Sequence, residues 1–141
     1  MILFSVIMTG CATDPKVPGP RYTSPELIVG RTWGWEKTET PVELFEVAAP
    51  ERYTLHVTLD GAIQILVDCN RGSAGYKIVG GDFQVTPAKL TKMACPTGNA
   101  SLAHHFVQQL QGVSSYYVQD GKLYLAKPDN SGTMQFKEIK P

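Results

Sequence analysis

The feature of this 141-residue chain that most restricts its fold is a pair of two-residue turns set between alternating apolar residues. Gly80-Gly81 and Asp120-Gly121 are dipeptides typical of tight β-hairpins. Each turn fixes which residues face one another across the two strands that it joins. The inward pairs predicted are Ile78 with Phe83, Tyr76 with Val85, Val118 with Leu123 and Tyr116 with Leu125. Tyr117 and Tyr124 then form an outward aromatic pair, so the pattern predicts antiparallel β-structure.

A third hairpin is predicted earlier in the chain, where residues 53–59 alternate between apolar and polar and residues 63–67 repeat the pattern. Both apolar sets lie on one face if Leu59 pairs with Ile63 and Val57 with Ile65. That pairing requires a loop with an odd number of residues and a glycine bulge. A last strand is predicted over residues 133–139, after a turn-rich segment.

One helix is predicted, over residues 102–111. Ser101 is the expected N-cap, and Gly112 is expected to end the helix in a left-handed conformation. Leu102, Phe106 and Leu110 form an apolar stripe. Many short hairpin strands with one helix predict a small barrel or sandwich in which the helix covers an opening or an edge.

The N-terminal residues have the character of an export leader. Residues 1–11 include a short apolar run and end in Met8-Thr9-Gly10-Cys11, which resembles the lipobox of bacterial lipoproteins. The resemblance implies a diacylglycerol on Cys11, which would bind the protein to a membrane, and the absence of Asp after Cys11 favours the outer membrane. A fragment or an ordinary apolar terminus is the alternative. Residues 12–25 are rich in proline and predict an extended tether that buries little, and residues 26–141 form the domain.

Composition and charge narrow the function classes. The 13 basic and 13 acidic residues are scattered, which disfavours nucleic acid as a partner. No nucleophile motif, phosphate-binding loop or evident carboxylate pair is present, so we expect neither an enzyme nor a cofactor. His104 and His105 are adjacent and point about 100° apart on a helix, so they cannot grip one ion together.

Two further cysteines, Cys69 and Cys95, lie in the body of the chain. In an oxidising periplasm a disulfide between them is the favoured interpretation. Two buried thiols are the first alternative. A metal site is the second, although neither cysteine has another Cys or His at zinc spacing.

Trp33 and Trp35 are two residues apart and therefore share one face of a strand. Because each ring buries a large area, that face is expected to belong to the core. A stacking platform for a ligand is the alternative.

Three motifs together resemble the META domain, the HslJ-like family of bacterial lipoproteins and heat-shock proteins. They are the tryptophan-bearing strand Val29-Gly30-Arg31-Thr32-Trp33, then Cys69-Asn70-Arg71 followed by Gly75-Tyr76, and Leu90-Thr91-Lys92-Met93-Ala94-Cys95-Pro96. The chain departs from the family pattern at Gly72, Ala74 and Ala103. The resemblance implies a mainly β fold, a small lipocalin-like antiparallel barrel with one covering helix, in a family linked to envelope stress and drug tolerance.

These observations predict a non-enzymatic envelope lipoprotein that acts as a binding or stress-response module. An envelope protein and a small apolar molecule are the possible partners besides the membrane. The alternatives are a lysozyme-inhibitor-like barrel that blocks a glycosidase, and a carrier of a small apolar ligand in the barrel. The candidate binding residues are Trp33, Trp35, Asn70, Arg71, Tyr76, Phe106, Tyr117 and Tyr124.

Overall fold

The computed structural model describes Gly10, residues 17–96 and residues 98–141. Apart from Gly10, the predicted leader, with the lipidation site Cys11, therefore lies outside the described residues. Among the residues described, no helix is both long and apolar enough to cross a lipid bilayer. The strands are β1 (Thr32–Glu39), β2 (Leu44–Glu46), β3 (Tyr53–Val57), β4 (Ala62–Val67), β5 (Asn70–Val79), β6 (Asp82–Val85), β7 (Lys89–Leu90), β8 (Ser115–Gln119), β9 (Lys122–Ala126) and β10 (Thr133–Ile139), and the helix α1 is Ala100–Gln111.

Eight of these strands form a closed antiparallel barrel, which confirms the predicted fold. The order around the barrel is β1, β3, β4, β5, β6, β8, β9 and β10, and pairing of β10 with β1 closes it. The two remaining strands add to its outside edges, because β2 pairs with the second half of β1 and β7 pairs with β5. Closure leaves the barrel strands without long free edges.

The barrel has two different ends, which we call the loop end and the helix end. The loop end carries the start of β1, the β3–β4 loop and the β8–β9 turn, since Thr32 pairs with both His56 and Ile139. The helix end carries the β4–β5 turn, the start of β3 and α1. Phe106 of α1 contacts Trp35 and Phe136, with ring centroids 5.1 and 6.4 Å apart, so the helix covers this end.

Two of the three predicted hairpin registers are confirmed, and the third is wrong by two residues. The pairs around Gly80-Gly81 and Asp120-Gly121 match the prediction, including Tyr117 opposite Tyr124. In the third hairpin Val57 pairs with Ile63, and Leu59 is 91% exposed in the loop. The Thr58 hydroxyl accepts a hydrogen bond from the Ala62 N–H at 3.1 Å and donates to its carbonyl oxygen at 2.9 Å. These bonds fix a three-residue loop that ends at Gly61 (φ 88°), so the odd loop length was right and the apolar Leu59 misled the register.

The barrel interior is packed with apolar side chains. Trp33 and Trp35 are both buried, as the burial argument predicted, and their indole N–H groups donate to the Ile28 carbonyl oxygen (3.2 Å) and the Thr38 hydroxyl (3.0 Å). A bulge at Glu36 changes the phase of β1, so Thr38 also points inward while Lys37 pairs with Gln135. The largest fully buried side chains are Trp33, Trp35, Tyr116, Phe83, Phe106, Phe136, Ile28, Leu55, Ile63, Leu110, Leu123 and Leu125.

Helix α1 begins two residues earlier than predicted. Asn99, not Ser101, is the N-cap, because the Asn99 side chain accepts a hydrogen bond from the Leu102 N–H at 3.0 Å. The prediction for Gly112 is also wrong, since its φ of −94° is right-handed and its N–H bonds back to the last turn. Phe106 and Leu110 are fully buried and Leu102 is half-buried, as the stripe predicts.

The segment before β1 docks on the barrel instead of extending away from it. Tyr22 and Val118 exchange two backbone hydrogen bonds of 2.8 and 2.7 Å, and the Tyr116 hydroxyl donates to the Thr23 carbonyl oxygen at 2.7 Å. The Gly19 N–H donates to the Asp120 carboxylate. Residues 19–23 therefore differ from the expected tether that buries little, and the boundaries of leader, tether and domain stay predictions.

This docking occurs where the barrel is least well paired. Strands β6 and β8 share one register pair, Asp82 with Ser115, within the described chain. Beyond that pair, the edge of β8 is covered by Tyr22 and its neighbours. The docked segment thus completes the β6–β8 seam at the loop end.

Candidate functional site

The first region that the motifs identify is a disulfide-linked corner at the helix end. Cys69 and Cys95 form a disulfide with a Cα separation of 5.6 Å, which confirms the favoured interpretation of this pair. The bond joins the β4–β5 turn to the segment that leads into α1. It therefore fixes the approach of the helix to the barrel.

Asn70 explains why its motif and the distant Met-Ala-Cys-Pro motif occur together. Its side-chain oxygen accepts hydrogen bonds from the Met93 N–H (2.7 Å) and the Thr91 hydroxyl (2.9 Å). Its amide group donates to the Met93 carbonyl oxygen at 3.0 Å and to Cys95 Sγ at 3.7 Å. One side chain thus satisfies the irregular backbone of residues 91–95, which is a structural role.

A buried carboxylate lies beneath this corner. The Asp68 side chain is 4% exposed and forms an ion pair with Arg52, whose carbonyl oxygen accepts from the Asp68 N–H at 2.7 Å. A side chain at Gly98 would collide with this carboxylate, so the segment before α1 lies directly on it. The corner encloses a depression of about 280 Å³ whose lining includes Asp68, Asn70, Met93, Cys95 and Ala103.

The departure from the family pattern at Gly72 has a packing reason. Strand β7 pairs with β5 and approaches it so closely that a methyl group at Gly72 would collide with the Lys89 carbonyl oxygen and with Leu90. No larger residue fits while β7 keeps this position. Ala74 points into the core and Ala103 packs against it, so these two departures also fall on packing positions.

Arg71 and Tyr76 lie on different faces of β5. The Arg71 side chain lines an outer depression of about 460 Å³ together with Thr32, His56 and Gln64. The Tyr76 hydroxyl donates to the Thr58 carbonyl oxygen at 2.5 Å, and its ring stacks on Phe83. Tyr76 therefore ties β5 to the residue that begins the β3–β4 loop.

A second region is the outer surface of β8, β9, β10 and β1, which we call the tyrosine face. It comprises Arg21, Glu36, Tyr117, Lys122, Tyr124 and Gln135. The rings of Tyr117 and Tyr124 are stacked, with centroids 4.7 Å apart and planes within 9°. The Arg21 guanidinium lies 4.2 Å from the Tyr117 ring centroid, which is a cation–π geometry.

The polar part of the tyrosine face is fixed by Glu36. Its carboxylate accepts from Lys122 Nζ at 2.8 Å and from the Gln135 amide at 2.8 Å. Burial raises the pKa of Glu36, but the hydrogen bonds from Lys122 and Gln135 outweigh it and hold the pKa below the usual value. Burial raises the pKa of the Tyr117 and Tyr124 hydroxyls, so both remain neutral hydrogen-bonding groups at physiological pH.

The structure does not bring the predicted binding residues into one site. Trp33, Trp35 and Phe106 lie in the core and present no exposed face for stacking. Asn70 belongs to the disulfide corner, whereas Tyr117 and Tyr124 form the tyrosine face. Among the described residues no group of three or more His, Cys, Asp or Glu could hold a metal ion.

Sequence reasoning missed several residues of these two regions. Arg21 was assigned to the tether, and its contact with Tyr117 depends on docking that no local pattern signals. Glu36 is expected to point outward by alternation with Trp35, but its hydrogen bonds to Lys122 and Gln135 join residues 86 and 99 positions apart, which no local pattern signals. For Asp68 the sequence does contain a signal for its position in a turn, because Asp tolerates the positive φ (59°) that it adopts in the β4–β5 turn.

The fold and these two regions define a class of protein: a closed antiparallel barrel, packed inside, with one helix over one end and a disulfide beside that helix. The sequence model of the META domain matches residues 27–140, so the chain belongs to the META domain family. Comparison with functionally curated proteins gives no match.

Solved structures share the fold at low sequence identity. An NMR structure of a protein from Burkholderia xenovorans is 18% identical, with a TM-score of 0.71 over 96% of this chain and 100% of that one. A crystal structure of a DUF4847 family protein from Bacteroides vulgatus is 13% identical, with a TM-score of 0.61 over 82% of this chain and 97% of that one. These similarities establish the barrel and carry no statement about activity.

Proposed function

We propose that this protein is an exported, lipid-anchored META domain protein of the bacterial envelope that binds another envelope protein through the tyrosine face, without catalysis. The observation that carries the proposal is the outward Tyr117–Tyr124 stack with Arg21 against it. Tyrosine and arginine are the residues enriched in the energetic centres of protein interfaces. Because the rings and Glu36 are already held in place, binding would order few additional side chains.

The envelope assignment rests on the disulfide together with the N-terminal pattern. Disulfides persist in the periplasm and are rare in the reducing cytosol, so the Cys69–Cys95 bond supports export. The lipobox-like Met8-Thr9-Gly10-Cys11 supports a lipid anchor.

A fatty-acid analogue fed to cells that express the chain from its native start should label the protein. A Cys11→Ser variant should remain unlabelled. Absence of label from both forms would refute the anchor.

The packed interior supports a binding surface on the outside of the barrel over a ligand inside it. Aromatic rings meet across the interior, with Trp35 6.0 Å from Tyr53 and 5.1 Å from Phe106. A carrier of a small apolar ligand would need space inside the barrel, and these side chains occupy that space. Native mass spectrometry of protein purified from membranes tests this alternative. A carrier would retain a bound lipid, and the Phe106→Asp variant would not.

Site-specific photocrosslinking in the envelope tests the protein-binding proposal. A photoreactive amino acid replaces Tyr117 or Tyr124 in one pair of variants, and Gln64 on the opposite outer surface in a control. We expect a discrete crosslinked partner at the tyrosine positions and none at Gln64. The partner is then purified, and its affinity for the Tyr124→Ala variant is compared with that for the wild type. We expect at least a tenfold lower affinity for the variant, because one aromatic anchor contributes about 2 kcal/mol to binding. Equal crosslinking at all positions, or unchanged affinity, would refute it. A glycosidase as the partner would support the lysozyme-inhibitor alternative.

A further inference from the structure

The loop end of the barrel is the end from which the chain runs towards its N-terminus. Gly19 is held there by the Asp120 carboxylate, and the Gln119 amide donates to its carbonyl oxygen at 2.6 Å. The eight residue steps from Cys11 to Gly19 span at most about 28 Å when fully extended. A lipid on Cys11 would therefore hold Gly19 within about 28 Å of the membrane surface and let the loop end reach it.

The loop end also exposes apolar groups around its rim. Leu59 is 91% exposed, Tyr22 is 53% exposed and Val17 is 71% exposed. Beside Tyr22 lies an apolar depression of about 620 Å³, formed where the docked segment crosses the β8–β9 turn. Its lining is mostly apolar, with the carboxylates of Glu26 and Asp120 at its rim, and consists of Pro20, Tyr22, Ser24, Glu26, Leu27, Val118, Asp120 and Gly121. Transfer of these apolar groups out of water lowers the free energy, so a surface of this kind favours contact with an apolar phase.

The helix end exposes apolar side chains too, so exposure alone does not distinguish the two ends. Val42, in the loop after β1, is 95% exposed, and Leu44 is 54% exposed. Position along the barrel relative to Gly19 does distinguish them. Strand β1 has eight residues, which is about 25 Å, so Val42 lies at the far end of the barrel from Gly19, whereas Leu59 lies at the same end as Gly19.

We propose that the loop end rests on the phospholipid bilayer, with Leu59 and Tyr22 inserted at the headgroup boundary and the depression facing the headgroups, where the carboxylates of Glu26 and Asp120 stay in water. This inference rests on the lipid anchor of the proposed function. Tyrosine is suited to that boundary because its ring is apolar and its hydroxyl is polar. The anchor raises the effective concentration of lipid at this surface, so a weak contact is enough to orient the domain.

The contact is apolar rather than electrostatic. Glu26, Asp60 and Asp120 flank the exposed apolar residues, and the nearby Arg31 is paired with Glu138. Negative lipids would therefore not strengthen it. An oriented domain would keep the helix end and the sides of the barrel, with the tyrosine face, turned towards the periplasm.

Depth-dependent quenching tests the orientation with a matched pair of sites. Full-length, anchored protein is placed in phosphatidylcholine vesicles that contain brominated acyl chains, which quench tryptophan within the membrane. Leu59→Trp adds a tryptophan at the loop end, and Val42→Trp adds one at the equally exposed control site. Trp33 and Trp35 are buried and contribute the same background to both variants.

We expect the tryptophan introduced at position 59 to be quenched by brominated lipid several-fold more than the one at position 42. Equal quenching would overturn the proposal. Protection of position 59 from both brominated lipid and aqueous acrylamide would also overturn it, because the loop end would then contact protein. Mass spectrometry of the Cys11 peptide tests the anchor separately. If no lipid is found, coupling that thiol to a maleimide phospholipid supplies an anchor, so the orientation is still measured.

Discussion

Removal of the Cys69–Cys95 disulfide should destabilise the domain without changing its fold. The bond closes a loop with a sequence separation of 26 residues. In the chain-entropy model, closing a loop of this length lowers the entropy of the unfolded state and so stabilises the folded state by about 3.5 kcal/mol at 25 °C. Three of the four hydrogen bonds of Asn70, those to Thr91 and Met93, do not involve Cys95 Sγ, so they should hold the corner in place in the variant.

The measurement is urea unfolding of a Cys69→Ala/Cys95→Ala variant, monitored through the fluorescence of the buried tryptophans. With a urea dependence of about 1.5 kcal/mol per molar, the midpoint should fall by about 2 M. Wild-type protein treated with reductant should unfold at nearly the same midpoint, and a Cys11→Ser background removes the third thiol. A midpoint change below about 0.5 M would refute the reasoning, because the crosslink would then not restrict the unfolded chain. Loss of near-ultraviolet circular dichroism before urea is added would refute the role given to Asn70.

Three further changes test other parts of the structure. Asn70→Ala should lower the free energy of unfolding by about 1–2 kcal/mol in urea titrations of oxidised protein, because it leaves backbone groups unsatisfied; an unchanged midpoint would contradict this. Gly72→Ala should cost about 1–3 kcal/mol and speed hydrogen exchange in β7, because the methyl group collides with the Lys89 carbonyl oxygen. Gly81→Ala is its control, with only ordinary contacts, and equal effects of the two changes would argue against the collision. Glu36 has a lowered pKa, so its stabilisation is present above about pH 4.5 and is lost as pH falls through the folded-state pKa. Glu36→Gln should therefore lose less stability than the wild type between about pH 6 and pH 3, and parallel pH curves would disagree with this account.

Local chemistry determined which parts of the fold could be predicted. Gly80-Gly81 and Asp120-Gly121 specify both a turn and a register, so their strand pairs were predicted residue by residue. Around Asp60-Gly61 the apolar Leu59 suggested one more inward position, but the hydroxyl of Thr58 closes the loop earlier. Such side chain to backbone competition has no clear pattern in a single sequence.

The functional regions were less predictable because they depend on long-range packing. The motif residues Asn70 and Cys95 were recognised together, but only the structure shows that one supports the backbone around the other. The tyrosine pair was predicted from its turn, whereas its partner Arg21 comes from nearly a hundred residues earlier in the chain. A segment rich in proline gives little indication of docking, since its sequence fits an extended strand against a sheet as well as a free linker.

The docked segment changes where this domain can safely be cut. If the chain were shortened to begin at Glu26, the backbone N–H and C=O of Val118 would lose their partners in Tyr22. Strand β8 would then present part of a bare edge, because β6 pairs with it only at its start. Such an edge is a template for strands of other molecules. The residues that precede the domain would thus also prevent neighbouring copies of the protein from joining edge to edge.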